Sequence, residues 1–152
     1  MKKISAGILV YKKNGSNVEV LLLHLGGPFW QKKDSWTIPK GETEIGEDDF
    51  SAAKREFSEE VGMSPPNGAY FDLGTINQSS VKANHIWAVE GDMDLAGFKS
   101  NTFSVEWPPR SGRIQSFPEC DQAEWFTLDN AKNKLLTVQK GFIDKLESHL
   151  GR

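Results

Sequence analysis

Apolar residues recur along the chain in short, strand-sized blocks, interrupted by one helical stripe and closed by a second. Residues 4–11 form the first block and 18–25 the second, with Asn14-Gly15 between them as a hairpin turn signal. Gly26-Gly27-Pro28 ends that strand and opens a loop running to Asp34. Trp36-Thr37-Ile38-Pro39 reads as a short extended piece, because a residue before proline is pushed out of helical geometry. The period then changes. Over residues 48–61, Phe50, Ala53, Phe57 and Val61 fall at i, i+3, i+7 and i+11, one stripe of an α-helix. Glu47, Asp48 and Asp49 place negative charge at its N-terminus, Gly62 supplies a C-terminal cap, and Pro65-Pro66 blocks resumption.

Residues 70–77 and 81–89 read as two further strands, and 92–101 shows no period and reads as a surface excursion. Residues 102–106 suit a strand, 107–112 a loop, and 123–126 a short strand leading into a helix near 128–135. Phe142, Ile143, Leu146 and Leu150 mark an amphipathic C-terminal helix. Strands, a helix, more strands, then helices predict an α+β fold, with residues 1–152 forming one domain.

Composition narrows the classes. The apolar blocks fall well short of the roughly 18 residues a bilayer span needs, so no membrane partner is expected. A single cysteine, Cys120, cannot close an internal disulfide, which makes a reducing cytoplasmic setting the default. The formal net charge of −3 argues against a protein that wraps nucleic acid. It leaves small phosphorylated substrates open, provided cations are supplied locally.

Candidate chemistry lies on the first helix. At about 100° per residue, with Glu56 at zero, Glu59 falls near 300° and Glu60 near 40°, so the three carboxylates share an arc of roughly 100° beside the apolar stripe. Ala52, near 320° on the same projection, adds only a methyl to that arc and is expected to leave room for a ligand. Like charges so spaced repel by a few tenths of a kcal/mol per pair. Such hard oxygen clusters suit magnesium or manganese, which bind carboxylate, water and phosphate together. A solvated acidic face is the competing reading of the cluster taken alone.

The surrounding residues decide between them. Gly41, five residues, Glu47, seven residues, then Arg55-Glu56-Phe57-Ser58-Glu59-Glu60-Val61-Gly62-Met63 match G-x5-E-x7-R-E-U-x-E-E-x-G-U at every position, with Phe57 and Met63 as the apolar U residues. The chain therefore resembles the Nudix hydrolase family. That resemblance implies a mixed β-sheet sandwiched between α-helices (an α/β/α sandwich) and metal-dependent cleavage of a phosphoanhydride bond with Mg2+ or Mn2+. It makes Glu56, Glu59 and Glu60 metal ligands, with Gly41 lending its carbonyl and Glu47 supporting the site. Glu59 and Arg55 become catalytic candidates, Arg55 by orienting the carboxylates.

Outside the box, Trp36 to Glu42 resembles the segment found in members acting on dinucleoside polyphosphates, so Lys40 and Trp36 become candidate substrate contacts. The substrate so implied is a small nucleotide such as diadenosine tetraphosphate. A nucleoside triphosphate pyrophosphohydrolase, an enzyme of RNA ends and a non-catalytic nucleotide sensor are the alternatives, and the chain is expected as a monomer or homodimer. Phe117-Pro118-Glu119 lies where the family often supplies a further acid from a loop, with Glu119 first choice and Asp121 and Glu124 behind it. In Trp107-Pro108-Pro109-Arg110, aromatic and Arg110 could stack on a base and meet phosphate, or the prolines could stiffen a loop around a core tryptophan. Phe29 and Trp30 carry the same ambiguity. His24, His85 and His149 share no ligand spacing and read as structural, and nothing in the sequence activates Cys120.

Overall fold

Every residue from Ser5 to Tyr11 is buried, so the first strand shows no alternation: both of its faces are covered. The computed structural model describes residues 2–152. This strand, β1 (Lys3–Asn14), pairs antiparallel with β2 (Asn17–Leu25) through its far half and with β4 (Lys40–Glu42) through its near half. Along its other edge it runs parallel to β6 (Lys82–Glu90), which pairs antiparallel with β5 (Tyr70–Asn77). The short β3 (Trp36–Thr37) and the long β9 (Cys120–Thr127) both pair with β2. The sheet is thus mixed, and β7 (Thr102–Glu106) with β8 (Ile114–Pro118) forms a separate two-stranded hairpin.

Helices cover the two faces, giving the expected α/β/α arrangement. On one face α1 (Asp49–Val61) sets Ala52, Ala53, Phe57 and Val61 against Ala6, Ile8, Leu21 and Leu23. On the other, α2 (Leu128–Lys134) and α3 (Lys140–His149) bring Ala131, Phe142, Ile143 and Leu146 onto Leu9, Leu22, Ile38 and Ile86. None of these helices is long and apolar enough to cross a membrane.

The position of α1 matters most for function. Asp48 is its cap and not its first residue, accepting from the Ser51 backbone N–H at 3.0 Å. Gly62 closes the far end at φ 79, and its N–H donates to the Ser58 carbonyl. The segment after β6, expected as a loose excursion, instead ties this end down. It contains a 3-10 turn (Leu95–Gly97), sets Met93, Leu95 and Phe98 against the core, and donates from Lys99 N to Val61 O and from Asn101 N to Glu59 O. A side chain at Gly62 would strike the Lys99 carbonyl as well as strain the left-handed backbone. Gly62→Ala should therefore destabilise the protein by more than about 1 kcal/mol; a urea titration checks this, and an unchanged midpoint would refute it.

Three boundaries differ from expectation. The box loop contains a strand, β4, because Lys40, Gly41 and Glu42 pair in register with Gly7, Ala6 and Ser5. Phe117 and Pro118 belong to strand β8, not to a loop, and Glu119 is the single residue joining β8 to β9. β9 starts at Cys120, earlier than its apolar residues announce, with a bulge opposite His24 and Leu25.

Candidate active site

Box carboxylates meet β4 where α1 presses on the sheet. Gly41 faces Glu56 so closely that an added Cβ would fall inside the Glu56 carboxylate. Only glycine fits there. Arg55 organises the outer half of the cluster. Its Nε and Nη2 donate to the two Glu47 oxygens at 2.8 and 2.9 Å, a bidentate clamp, and Nη2 also donates to the Glu42 carbonyl at 3.1 Å. Nη1 donates to Glu56 at 2.9 Å and to Glu59 at 3.2 Å. These bonds hold Glu47 down to about 2, chiefly through Arg55 and then through the Glu44 backbone N–H.

Glu60 is the unusual member. It is only 5% exposed, and its partners are the Cys120 thiol, which donates to Oε2 at 3.3 Å, and the Glu119 carboxylate. Burial first, then the adjacent Glu119, pushes Glu60 up to about 9. Burial also raises Glu56. The Cys120 thiol is pushed far up by burial and by Glu60, which keeps it protonated and inert as a nucleophile.

The structure brings most of the expected residues together. Glu47, Arg55, Glu56 and Glu59 form one hydrogen-bonded group, Gly41 cradles Glu56, and Glu119 reaches Glu60. Lys40 is half-buried, pulled down first by burial and then by neighbouring Lys82, and it feels the charges of Glu60 and Glu56. Of the three acids considered near β9, Glu119 alone joins the group. Asp121 is bound to His24 at 2.6 Å, and Glu124 sits opposite Leu22, on the face covered by α2 and α3.

Other expectations need correcting. Trp36 is no exposed platform. It is a core residue on the α2–α3 face, edge-on to His24 and Phe126, with its indole N–H donated to Asp34 at 2.9 Å. Ala52 leaves no room for a ligand, being wholly buried against the sheet. The buried arc of α1 therefore extends under Glu56 and Glu60, and Glu60 is itself buried. Arg110 lies at the tip of the β7–β8 hairpin, and its backbone N–H donates to Glu106. His85, read as structural, bridges Asp49 and Asp72 at 2.8 Å each.

Sequence reasoning missed one residue here. The Cys120 thiol donates to Glu60, and no local pattern signals that.

Among the described residues, no three His, Cys, Asp or Glu side chains converge tightly enough to enclose an ion as they stand, and Arg55 bridges Glu56 and Glu59. The donor set nevertheless fits a hard divalent cation. Several carboxylates share one small region, and the most buried of them, Glu60, makes no ion pair among the described residues.

Fold and site together define a class: a mixed-sheet sandwich whose first helix carries carboxylates organised by a single arginine. The sequence model of the NUDIX domain matches residues 1–146, and the chain belongs to that family. Over 60 residues it is 38% identical to the bis(5'-nucleosyl)-tetraphosphatase [asymmetrical] of Caenorhabditis elegans, a match covering 40% of this chain and 41% of that relative. The matched stretch thus spans less than half of that protein. Among solved structures, the binary complex of a C. elegans Ap4A hydrolase superposes with a TM-score of 0.64 at 22% identity, over 98% of both chains. The NUDIX domain of Shewanella oneidensis NrtR, complexed with ADP ribose, gives 0.67 at 14% identity over 99% of this chain and 89% of that one. The MutT protein of Methanosarcina mazei Go1 gives 0.61 at 17%, over 99% and 96%. At such identities the structural likeness is one of fold.

Proposed function

We propose that this chain is a metal-dependent hydrolase cleaving a phosphoanhydride bond in a dinucleoside polyphosphate such as diadenosine tetraphosphate. One observation carries the reading: Glu60, 5% exposed and without an ion-pair partner among the described residues, meets Glu119 beside the Glu56 carboxylate that Gly41 cradles. The similarity to a C. elegans bis(5'-nucleosyl)-tetraphosphatase supports the substrate class.

Glu56, Glu59 and Glu60 would hold the cation, with the Gly41 carbonyl beside them. When bound, a divalent ion such as magnesium or manganese neutralises phosphate charge and makes a nearby water more acidic. The chain's own groups do the rest. Arg55, fixed by Glu47, sets the rotamers of Glu56 and Glu59. Lys40 meets a phosphate oxygen from β4. Glu119 enters from outside the helix and takes the proton of the attacking water, while Glu59 is positioned to share that task. Catalysis of this kind is positioning and charge neutralisation more than covalent chemistry.

The direct test is a panel of dinucleoside polyphosphates, nucleoside triphosphates and nucleotide sugars, with magnesium present and products resolved by chromatography. Preferred cleavage of the dinucleoside compounds is expected; turnover confined to nucleoside triphosphates would remove the substrate class and leave the chemistry. In the same assay, Glu119→Gln should lower kcat by about a hundredfold and move KM far less, since water activation counts only in the transition state. An unchanged kcat would return the base to Glu59.

A further inference from the structure

The β7–β8 hairpin has no part in the chemistry just assigned, and it buries none of its own side chains. A lone two-stranded hairpin is marginal in water, yet this one is carefully built. The Glu106 carboxylate accepts from the backbone N–H groups of Arg110 at 3.0 Å and Gly112 at 3.3 Å, and Gln115 Nε2 donates to the Trp107 carbonyl. Arg110 is held at φ 60, the one non-glycine residue with positive φ among the described residues. Backbone strain of that kind persists where the surroundings enforce it, and it gathers at ligand sites. The hairpin leans on the loop after β2. The Phe103 ring fills the space a side chain at Gly27 would need, and Trp107 meets Phe29 edge to face at 5.2 Å between centroids. Phe29 remains 56% exposed and Trp30 38%, with the Lys33 ammonium 5.0 Å from the Trp30 ring.

We propose that Phe29, Trp30 and Trp107 form a stacking platform for one nucleobase of the substrate, with Lys33 and Arg110 meeting the adjoining phosphates. Both supports of the platform are rooted in the carboxylate cluster. Gly26 donates to the Glu119 carbonyl at 2.9 Å, and Asn101, just before β7, donates to the Glu59 carbonyl at 3.0 Å. The register from Thr102–Pro118 to Glu106–Ile114 is four residue steps, roughly 14 Å at strand spacing. That is the reach of a base and ribose extended through several phosphates. Charge agrees with this occupant. The chain carries a net −3, yet Lys33 sits over Trp30 and Arg110 lies at the hairpin tip, while Glu106 is committed to backbone donors and Asp34 to Lys134. Aromatic faces with flanking cations are how single bases and their phosphates are held.

The inference rests on the polyphosphate reading above, so its test separates the two. Affinities for diadenosine tetraphosphate, supplied as its non-hydrolysable methylene-bridged analogue, and for inorganic tetraphosphate are measured by calorimetry with magnesium. Phe29→Ala and Trp107→Leu should each weaken diadenosine tetraphosphate roughly five- to hundredfold and inorganic tetraphosphate little. Trp107→Tyr should restore most of the loss, which guards against a misfolded hairpin. Equal losses for both ligands, or none for either, would overturn the platform, as would failure of the parent protein to bind the dinucleotide. So would a Phe29→Ala variant that only converts a dimer to a monomer in sedimentation, which would mark the patch as a contact between copies of this chain. A wild-type protein that binds diadenosine tetraphosphate through these residues but never hydrolyses it would instead sink the proposed reaction and leave the platform standing.

Discussion

Stripped of divalent ions with excess chelator, the protein should lose turnover by at least about a thousandfold, and added magnesium or manganese should restore it. The expectation comes from counting charge. Glu47, Glu56, Glu59, Glu60 and Glu119 are five acids, and Arg55 and Lys40 are two bases, leaving a formal −3 where a polyanion must approach, or −2 while the metal-free fold keeps Glu60 protonated. Two like charges at 4 Å repel by about 4 kcal/mol even at an effective dielectric near 20. Arg55 cannot relieve this, because its donors are already divided among Glu47, Glu56, Glu59 and the Glu42 carbonyl. Undiminished turnover in chelator, with metal content verified as nil, would refute the assigned chemistry.

How far the sequence alone carries varies with the physics. Periodicity located α1, its caps and the strands β1, β2, β5 and β6 within a few residues, because each pattern is local and repeats several times. The box spacing placed the carboxylates on one arc of the helix. Helical angles do not say how deep that arc sinks, however. Ala52 and Glu60 lie under it because β1 and β4 pass close beneath, and that approach is possible only where Gly41 faces Glu56. β8 was illegible for a different reason. Ile114, Gln115 and Ser116 are all exposed, so no alternation marks the strand and only its pairing with β7 defines it. Trp36 misled because a tryptophan beside a functional loop looks available, whereas its burial depends on Phe126 and His24, both distant in sequence. The Glu60–Cys120 contact likewise joins residues sixty positions apart. Long-range partners of this kind leave no local trace.

Glu60 also yields the prediction that separates function from stability most cleanly. Glu60→Gln should cut kcat by about a thousandfold or more, the scale of losing a group that holds the cation. The same substitution should stabilise the metal-free protein. In the fold Glu60 is pushed up to about 9, against an ordinary value near 4.5. Below pH 4.5 the folded and unfolded chains both carry the proton, so the group costs nothing. Between 4.5 and about 9 the unfolded chain releases its proton while the fold must keep it, so this group's contribution erodes steadily as pH rises. A glutamine has no proton to lose, and its amide can donate to Glu119. In chelator near pH 7 the variant should therefore be more stable than the parent by roughly 1–3 kcal/mol, and the gap should close towards pH 4.5. Magnesium should reverse the order, because it binds the folded parent and not the variant. Denaturant titrations at several pH values, with and without magnesium, read all of this. A variant less stable than the parent in chelator near neutral pH would show that the buried Glu60 carboxylate is not under electrostatic strain, and would remove the argument for a cation beside it.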